Sequence, residues 1–231
     1  GSSIDTSRPL LEMLAAHFDV AVQDSRGLGR TELPEQPWTM ADCAADGVAL
    51  LDHLGWDTCL VAGISFGGMV AQALVVKPPE LVRRLLLTGT GPAGGKDIDK
   101  VAGTTYVDML RAALTRSDPK EFLFFNRDAT GKAAGRAFVE RLEERTVDRD
   151  AKISVGAFQT QLKAIKKWGR SAPADLSTIT QPTLIANGDN DRMVPSVLSE
   201  DLHRRIPGSE LVLYPDAGHG GIFQFHERFA P

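Results

Sequence analysis

A serine set among glycines, Gly63-Ile64-Ser65-Phe66-Gly67-Gly68, follows the apolar run Cys59-Leu60-Val61-Ala62 and precedes a helical pattern from Met69 to Val76. G-x-S-x-G between a strand and a helix presents a serine hydroxyl as a nucleophile. The tight turn strains the serine backbone, and small neighbours keep it from clashing. Gly63, Gly67 and Gly68 are the expected small positions. The helix start behind Ser65 aims free N–H groups and partial positive charge at the place where an oxyanion forms.

A serine is a weak nucleophile until a base takes its proton and a third group holds that base in the right tautomer. The chain has five histidines. His17, His53, His203 and His226 fall within helical patterns that suit surface or packing roles. His219 lies in Asp216-Ala217-Gly218-His219-Gly220-Gly221, a glycine-rich loop past the last predicted strand, and is the expected general base. For the orienting acid, the loop from Asn187 to Pro195 offers two carboxylates, Asp189 and Asp191. The residues by themselves leave both open.

These loops need a scaffold that brings them to one place. Leu10 to Phe18 reads as a short helix and Val20-Ala21-Val22-Gln23 as a buried strand. Thr39 is placed to cap a helix running to about Leu54. Pro78-Pro79 stop the helix behind Ser65, and strands are predicted at Leu81 to Thr88, Thr183 to Ala186 and Glu210 to Tyr214, with a helix from Ser196 to Ile206. Such alternation builds a mostly parallel sheet with helices on both faces, an α/β fold, and ligands bind outside the carboxyl ends of its strands.

From about Gly94 to Ser171 the rhythm breaks. Helical periodicity and charged turns such as Thr146-Val147-Asp148-Arg149-Asp150 replace the strands. This predicts a helical lid over 94–171, inserted between core segments 1–93 and 172–231. Its aromatics include Phe122 to Phe125, Phe138, Phe158 and Trp168. Phe124, Phe125 and Trp168 are the candidates to line a substrate pocket over Ser65; the alternative for any one of these aromatics is that it forms the lid's own core and glues the lid to the sheet.

With 231 residues the chain suits one sizeable core, and a net charge of −4 with mixed signs gives no basic footprint for nucleic acid or an anionic membrane. No apolar run reaches the length of a membrane span and no signal-peptide pattern opens the chain. Cys43 and Cys59 read as buried free thiols, which suits a reducing cytosol. The expectation is a cytoplasmic enzyme acting on a small molecule, without nucleic-acid or membrane partners. No nucleotide-binding glycine motif follows the first strand, and the serine turn argues against reading Asp189, Asp191 and His219 as metal ligands. No cofactor is expected.

Four separated motifs together resemble the lidded α/β-hydrolases, a family that includes small-ester esterases, enol-lactonases, C–C bond hydrolases and cofactor-free haloperoxidases. Asp24-Ser25-Arg26-Gly27-Leu28-Gly29-Arg30-Thr31 is similar to the family's D-x-R-G-x-G-x-S loop, with Thr31 in the final serine's place. Gly63 to Gly68 resembles its nucleophile turn, Gly188 to Pro195 its G-x-x-D-x-x-x-P acid loop, and Gly218-His219 its base. The order Ser, Asp, His is the family's order. In that acid loop the resemblance selects Asp191, leaving Asp189 as a turn-former. The Asp24 to Thr31 loop is expected to be structural, with Arg26 and Asp24 tying neighbouring loops.

The resemblance implies acyl transfer: Ser65 attacks an ester or lactone carbonyl, His219 takes its proton, and Asp191 holds the imidazolium. The Phe66 N–H serves as one oxyanion donor. Perhydrolysis runs on the same three residues. C–C hydrolases resemble the serine turn but typically carry a tryptophan soon after the base, where this chain has Gly220-Gly221-Ile222-Phe223. A ligand-binding member without turnover is the reading from another class. The family's second oxyanion donor follows a strand that lies between the strands ending at Asp24 and Ile64, and this sequence contains no such strand. An empty place there leaves buried N–H and C=O groups unpaired, at roughly 1–3 kcal/mol per group. The expectation is a chain lacking N-terminal strands, a fragment of a longer protein, or another segment filling the gap.

Overall fold

The computed structural model describes residues 4–34, 37–77, 79–147 and 153–229. The expected helix stop at Pro78 and the turn residues Asp148, Arg149 and Asp150 lie outside the described residues. The first helix, α1, spans Arg8–Ala15. The next, α2, spans Met40–Leu54 and starts where a local bonding pattern permits it. The Asp42 N–H donates to the Thr39 hydroxyl at 3.3 Å, and the Thr39 N–H donates to the Asp42 carboxylate at 2.7 Å. This capping box satisfies two donors that a helix start leaves without partners. Gly55, left-handed at φ 67°, ends the helix.

Strand and helix then alternate through β1 (Cys59–Ile64), α3 (Phe66–Val76) and β2 (Val82–Thr88). Four helices follow: α4 (Val101–Thr115), α5 (Pro119–Phe124), α6 (Ala129–Glu143) and α7 (Val155–Gly169). Asp118, Asp128 and Ser154 cap the last three by accepting backbone N–H bonds. The chain returns to the sheet with β3 (Thr183–Gly188), α8 (Val197–Arg205) and β4 (Glu210–Tyr214), and closes on the short helices α9 (Gly221–Gln224) and α10 (His226–Phe229).

The strands pair in the order β1-β2-β3-β4, all parallel. Successive strand residues face opposite sides. Ile185 joins Leu87, Val75 and Leu202 in one core cluster, while its neighbour Ala186 joins Tyr214 and Ala217 in another. Helices therefore cover both faces. The register sets Ile64 beside Thr88, Thr88 beside Ala186, and Gly188 beside Tyr214. The carboxyl ends of the strands thus share one edge, and Ser65, the 189–195 loop and the 215–220 loop all leave from it.

One predicted strand does not form. Residues 20–23 run without a ladder partner, with Val20 38% and Val22 40% exposed. A strand is defined by its neighbour's N–H and C=O groups, and no described segment pairs with this one. For the same reason β1 is an edge of the described sheet, bonded on one side to β2, and Leu60 on it is exposed. No described segment fills the place between them. Cys43 is buried as expected, while Cys59, on that edge strand, is half-buried; both are free thiols.

Candidate active site

Ser65 adopts φ 54° and ψ −115°, a strained backbone for a residue with a Cβ, at a cost of about 1–3 kcal/mol. Three bonds hold it there. Its N–H donates to the Thr88 carbonyl at 2.8 Å, and its carbonyl accepts from Gly68 at 3.0 Å and Met69 at 3.3 Å. A Cβ on Gly63 would collide with the Gly67 carbonyl, and one on Gly68 would lie 2.5 Å from the Thr90 methyl. Gly67 differs from the sequence expectation: a Cβ there meets nothing within 4 Å. The turn packs against itself at Gly63 and against Thr90 at Gly68, whereas Gly67 faces open space.

His219 Nε2 lies 2.9 Å from Ser65 Oγ, and His219 Nδ1 lies 2.6 Å from Asp191 Oδ2. The other Asp191 oxygen accepts the N–H groups of Met193 at 2.8 Å and Val194 at 2.9 Å. A carboxylate accepts only, so the bonding is satisfied with the ring proton on Nδ1 and a free Nε2 lone pair towards the serine hydroxyl. That tautomer can receive the serine proton. Asp189 stands apart from the ring. Its carboxylate accepts from the Asn190 side chain at 2.8 Å and the Ala217 N–H at 3.3 Å, joining the two loops. The remaining histidines lie elsewhere, His203 bonded to Ser209 and His226 to the Phe223 carbonyl.

The Asp24 to Thr31 loop is tied as a scaffold. Arg26 forms two short bonds to Asp46 on α2, at 2.6 and 2.7 Å. Asp24 accepts from the Ile4 N–H, and the Thr31 hydroxyl donates to the Asp24 carbonyl.

With this geometry, the alpha/beta hydrolase fold description matches residues 1–225. The chain belongs to that family. Among its relatives is a 2-hydroxy-6-oxononadienedioate/2-hydroxy-6-oxononatrienedioate hydrolase of Klebsiella pneumoniae, 30% identical over 96% of this chain and 77% of the relative. A pimeloyl-[acyl-carrier protein] methyl ester esterase of Nitrosomonas europaea is 26% identical over 95% of this chain and 85% of its own length. Among solved structures, an alpha/beta hydrolase fold protein from Chitinophaga pinensis superposes with a TM-score of 0.79 at 31% identity, covering 90% of this chain and 74% of that one.

In this hydrolase-fold chain a cavity of about 480 Å³ opens beside Ser65 and His219. Phe66 and Phe124 line it, as do Met109 of α4 and Phe158 of α7. Phe66 and Gly67 are the first residues of α3, so their N–H groups have no acceptor within the helix. Of the aromatics expected to line the pocket, Phe124 does, its ring centroid 5.7 Å from that of His219. Phe125 and Trp168 do not. Phe125 turns into the helical segment, 5.4 Å from the Phe138 ring. The Trp168 indole N–H donates to the Gly91 carbonyl, and its ring packs with the cluster containing Ile98 and Leu198. Adjacent residues at a helix end point in different directions, so the run Phe122 to Phe125 could not itself show which ring faces Ser65.

Among the described residues, no group of three or more His, Cys, Asp or Glu is placed to hold a metal ion, and no helix is long and apolar enough to cross a membrane. Sequence reasoning missed Asp108, a buried carboxylate on α4 bonded to Arg111, Arg127 and Arg192. The local signal was Arg111, three residues along the same helix, which by itself does not show that Asp108 is buried or that Arg127 and Arg192 join it.

Proposed function

We propose that this protein is a serine hydrolase of small carboxylic esters or lactones, with Ser65 as nucleophile, His219 as general base and Asp191 as the group that orients it. The observation that carries this is the hydrogen-bonded line from Ser65 through His219 to Asp191. Ser65 Oγ bonds to the carbonyl carbon as its proton passes to His219 Nε2. The oxyanion accepts the Phe66 N–H. The carbon–oxygen bond to the leaving group breaks, and the leaving oxygen takes the proton from His219. Water then attacks the acyl-enzyme, gives its proton to His219, and Ser65 leaves with that proton as the acid departs. The helices of 94–171 act as a lid over cores 1–93 and 172–231, and Phe124 contacts the acyl or alcohol part. The largely apolar lining supports an uncharged group there.

The test combines a fluorophosphonate probe with a p-nitrophenyl ester series on wild type and Ser65→Ala. Labelling and turnover of C2–C4 esters in wild type, both lost in Ser65→Ala, is the expected result. A wild type that does not label refutes the enzyme reading, and turnover that survives in Ser65→Ala refutes this mechanism. A second reading, cleavage of a carbon–carbon bond in a 2-hydroxy-6-oxo acid, is favoured by the Klebsiella pneumoniae relative. Turnover of such an acid at least tenfold faster than any ester would replace the ester assignment.

A further inference from the structure

Asp108 is 1% exposed in the middle of α4. A buried carboxylate costs several kcal/mol unless it is paired. Here it is paired more than neutrality requires. Oδ1 accepts from Arg111 at 2.8 Å and Arg127 at 3.0 Å, and Oδ2 accepts from Arg192 at 2.7 Å. Burial and the nearby Arg192 and Arg111 hold the Arg127 guanidinium below its ordinary pKa, a mark of how closely the cations crowd. Arg111 lies one turn along the same helix. Arg127 follows α5, and Arg192 comes from the loop after β3, 84 residues away.

What the three arginines connect matters more than their number. Arg192 follows Asp191, whose carboxylate is bonded to the next two backbone N–H groups and to His219. The same Arg192 nitrogen that meets Asp108 also donates to the Phe122 carbonyl at 2.9 Å. Two residues on, the Phe124 carbonyl accepts the Gly220 N–H at 2.6 Å, and Gly220 follows His219. Segment 122–127 is thus held at 122 by the acid loop, at 124 by the base loop, and at 127 by Asp108. A Cβ on Gly218 would stand 2.9 Å from that Phe124 carbonyl, so the base loop and the segment are in close contact.

We propose that Asp108 is a positioning residue: through Arg192 and Arg127 it clamps segment 122–127 between the loops of Asp191 and His219 and so sets their placement. It touches no reacting atom. Its kinetic consequence rests on the serine-hydrolase reading; its structural consequence does not. Small misplacements of reacting groups cost up to about 100-fold in rate, so a loosened clamp reads out in kcat.

The test uses Arg192→Gln, Arg192→Lys and Asp108→Asn in the full chain. Arg192 is partly exposed and its loss leaves Asp108 paired with Arg111 and Arg127, so its variants are expected to fold even where Asp108→Asn does not. Two quantities are measured: hydrogen exchange at the Gly220 amide, and kcat and KM for p-nitrophenyl butyrate. In Arg192→Gln, exchange at Gly220 rises about tenfold or more, and kcat falls about tenfold with KM within about twofold. Arg192→Lys, which keeps the charge, recovers most of both. Folded Asp108→Asn behaves like Arg192→Gln. Gly220 exchange unchanged in Arg192→Gln overturns the proposal, as does a lysine variant no better than glutamine. A wild type without esterase activity refutes the ester-hydrolase reading, and Gly220 exchange still decides the clamp.

Discussion

His219 and Asp191 meet at 2.6 Å with both side chains shut off from solvent, at 4% and 0% exposure. Three donors converge on the Asp191 carboxylate, so its orientation is set by the loop backbone as well as by the ring. Asp191→Asn would offer an amide N–H where the ring requires an acceptor and so favour the wrong tautomer. Its kcat on p-nitrophenyl butyrate is expected to fall by about 10³–10⁴ with the fold intact by circular dichroism. Asp189→Asn, at an exposed carboxylate away from the ring, is expected to stay within about twofold of wild type.

The glycines after Ser65 are unequal. Gly68→Ala places a Cβ 2.5 Å from the Thr90 methyl and is expected to destabilise by about 1–3 kcal/mol, seen as a lower urea midpoint. Gly67→Ala meets open space at the start of α3 and is expected to match or exceed wild-type stability by up to about 1 kcal/mol. A Gly67→Ala protein less stable than Gly68→Ala would contradict this packing.

The capping box makes stability depend on acid. The Thr39 hydroxyl and N–H hold the Asp42 carboxyl below its usual range. A carboxyl depressed in the folded state stabilises above its unfolded pKa, and that contribution fades as pH falls through the folded value. Thr39→Ala is expected to cost about 1 kcal/mol at pH 7. The gap to wild type should narrow below pH ~4, as measured by denaturant unfolding across pH.

The two thiols are predicted to react slowly in the folded chain, and Cys43 more slowly than Cys59. Burial pushes Cys43 up to about 11 and raises Cys59 as well. At pH 8 about one Cys43 in a thousand is thiolate, and the thiolate is the reactive form. Disulfide-exchange reagent should therefore titrate Cys43 only after denaturant is added, with half-buried Cys59 reacting first. Rapid native titration of Cys43 at pH 8 would show that α2 opens far more readily than its packing implies.

Much of the scaffold could be read from local pattern. The Thr39 cap, the strand at Glu210 to Tyr214 and the helix behind Ser65 each depend on residues a few positions apart. Val20 to Gln23 carried an equally good strand pattern and formed none, because a strand also needs a partner that no local pattern supplies. Phe124 and Phe125 have the same side chain and both pack on Phe138, yet only Phe124 lines the cavity. Only the direction of each Cα–Cβ bond separates them.

The sequence by itself determined the family and most of the elements, and narrowed the candidate site to Ser65, His219 and one of Asp189 and Asp191, since motif chemistry and helix and strand periodicity are short-range properties. The tertiary structure decided which of those groups touch. Parallel register brings Ser65, Asp191 and His219 to one edge of the sheet. It also reveals Asp108, an ordinary acid on a helix until folding removes its water and Arg111, Arg127 and Arg192 take the water's place. The physical reason is range: hydrogen bonds and ion pairs act over a few ångströms, and only the folded chain makes residues 84 positions apart neighbours on that scale.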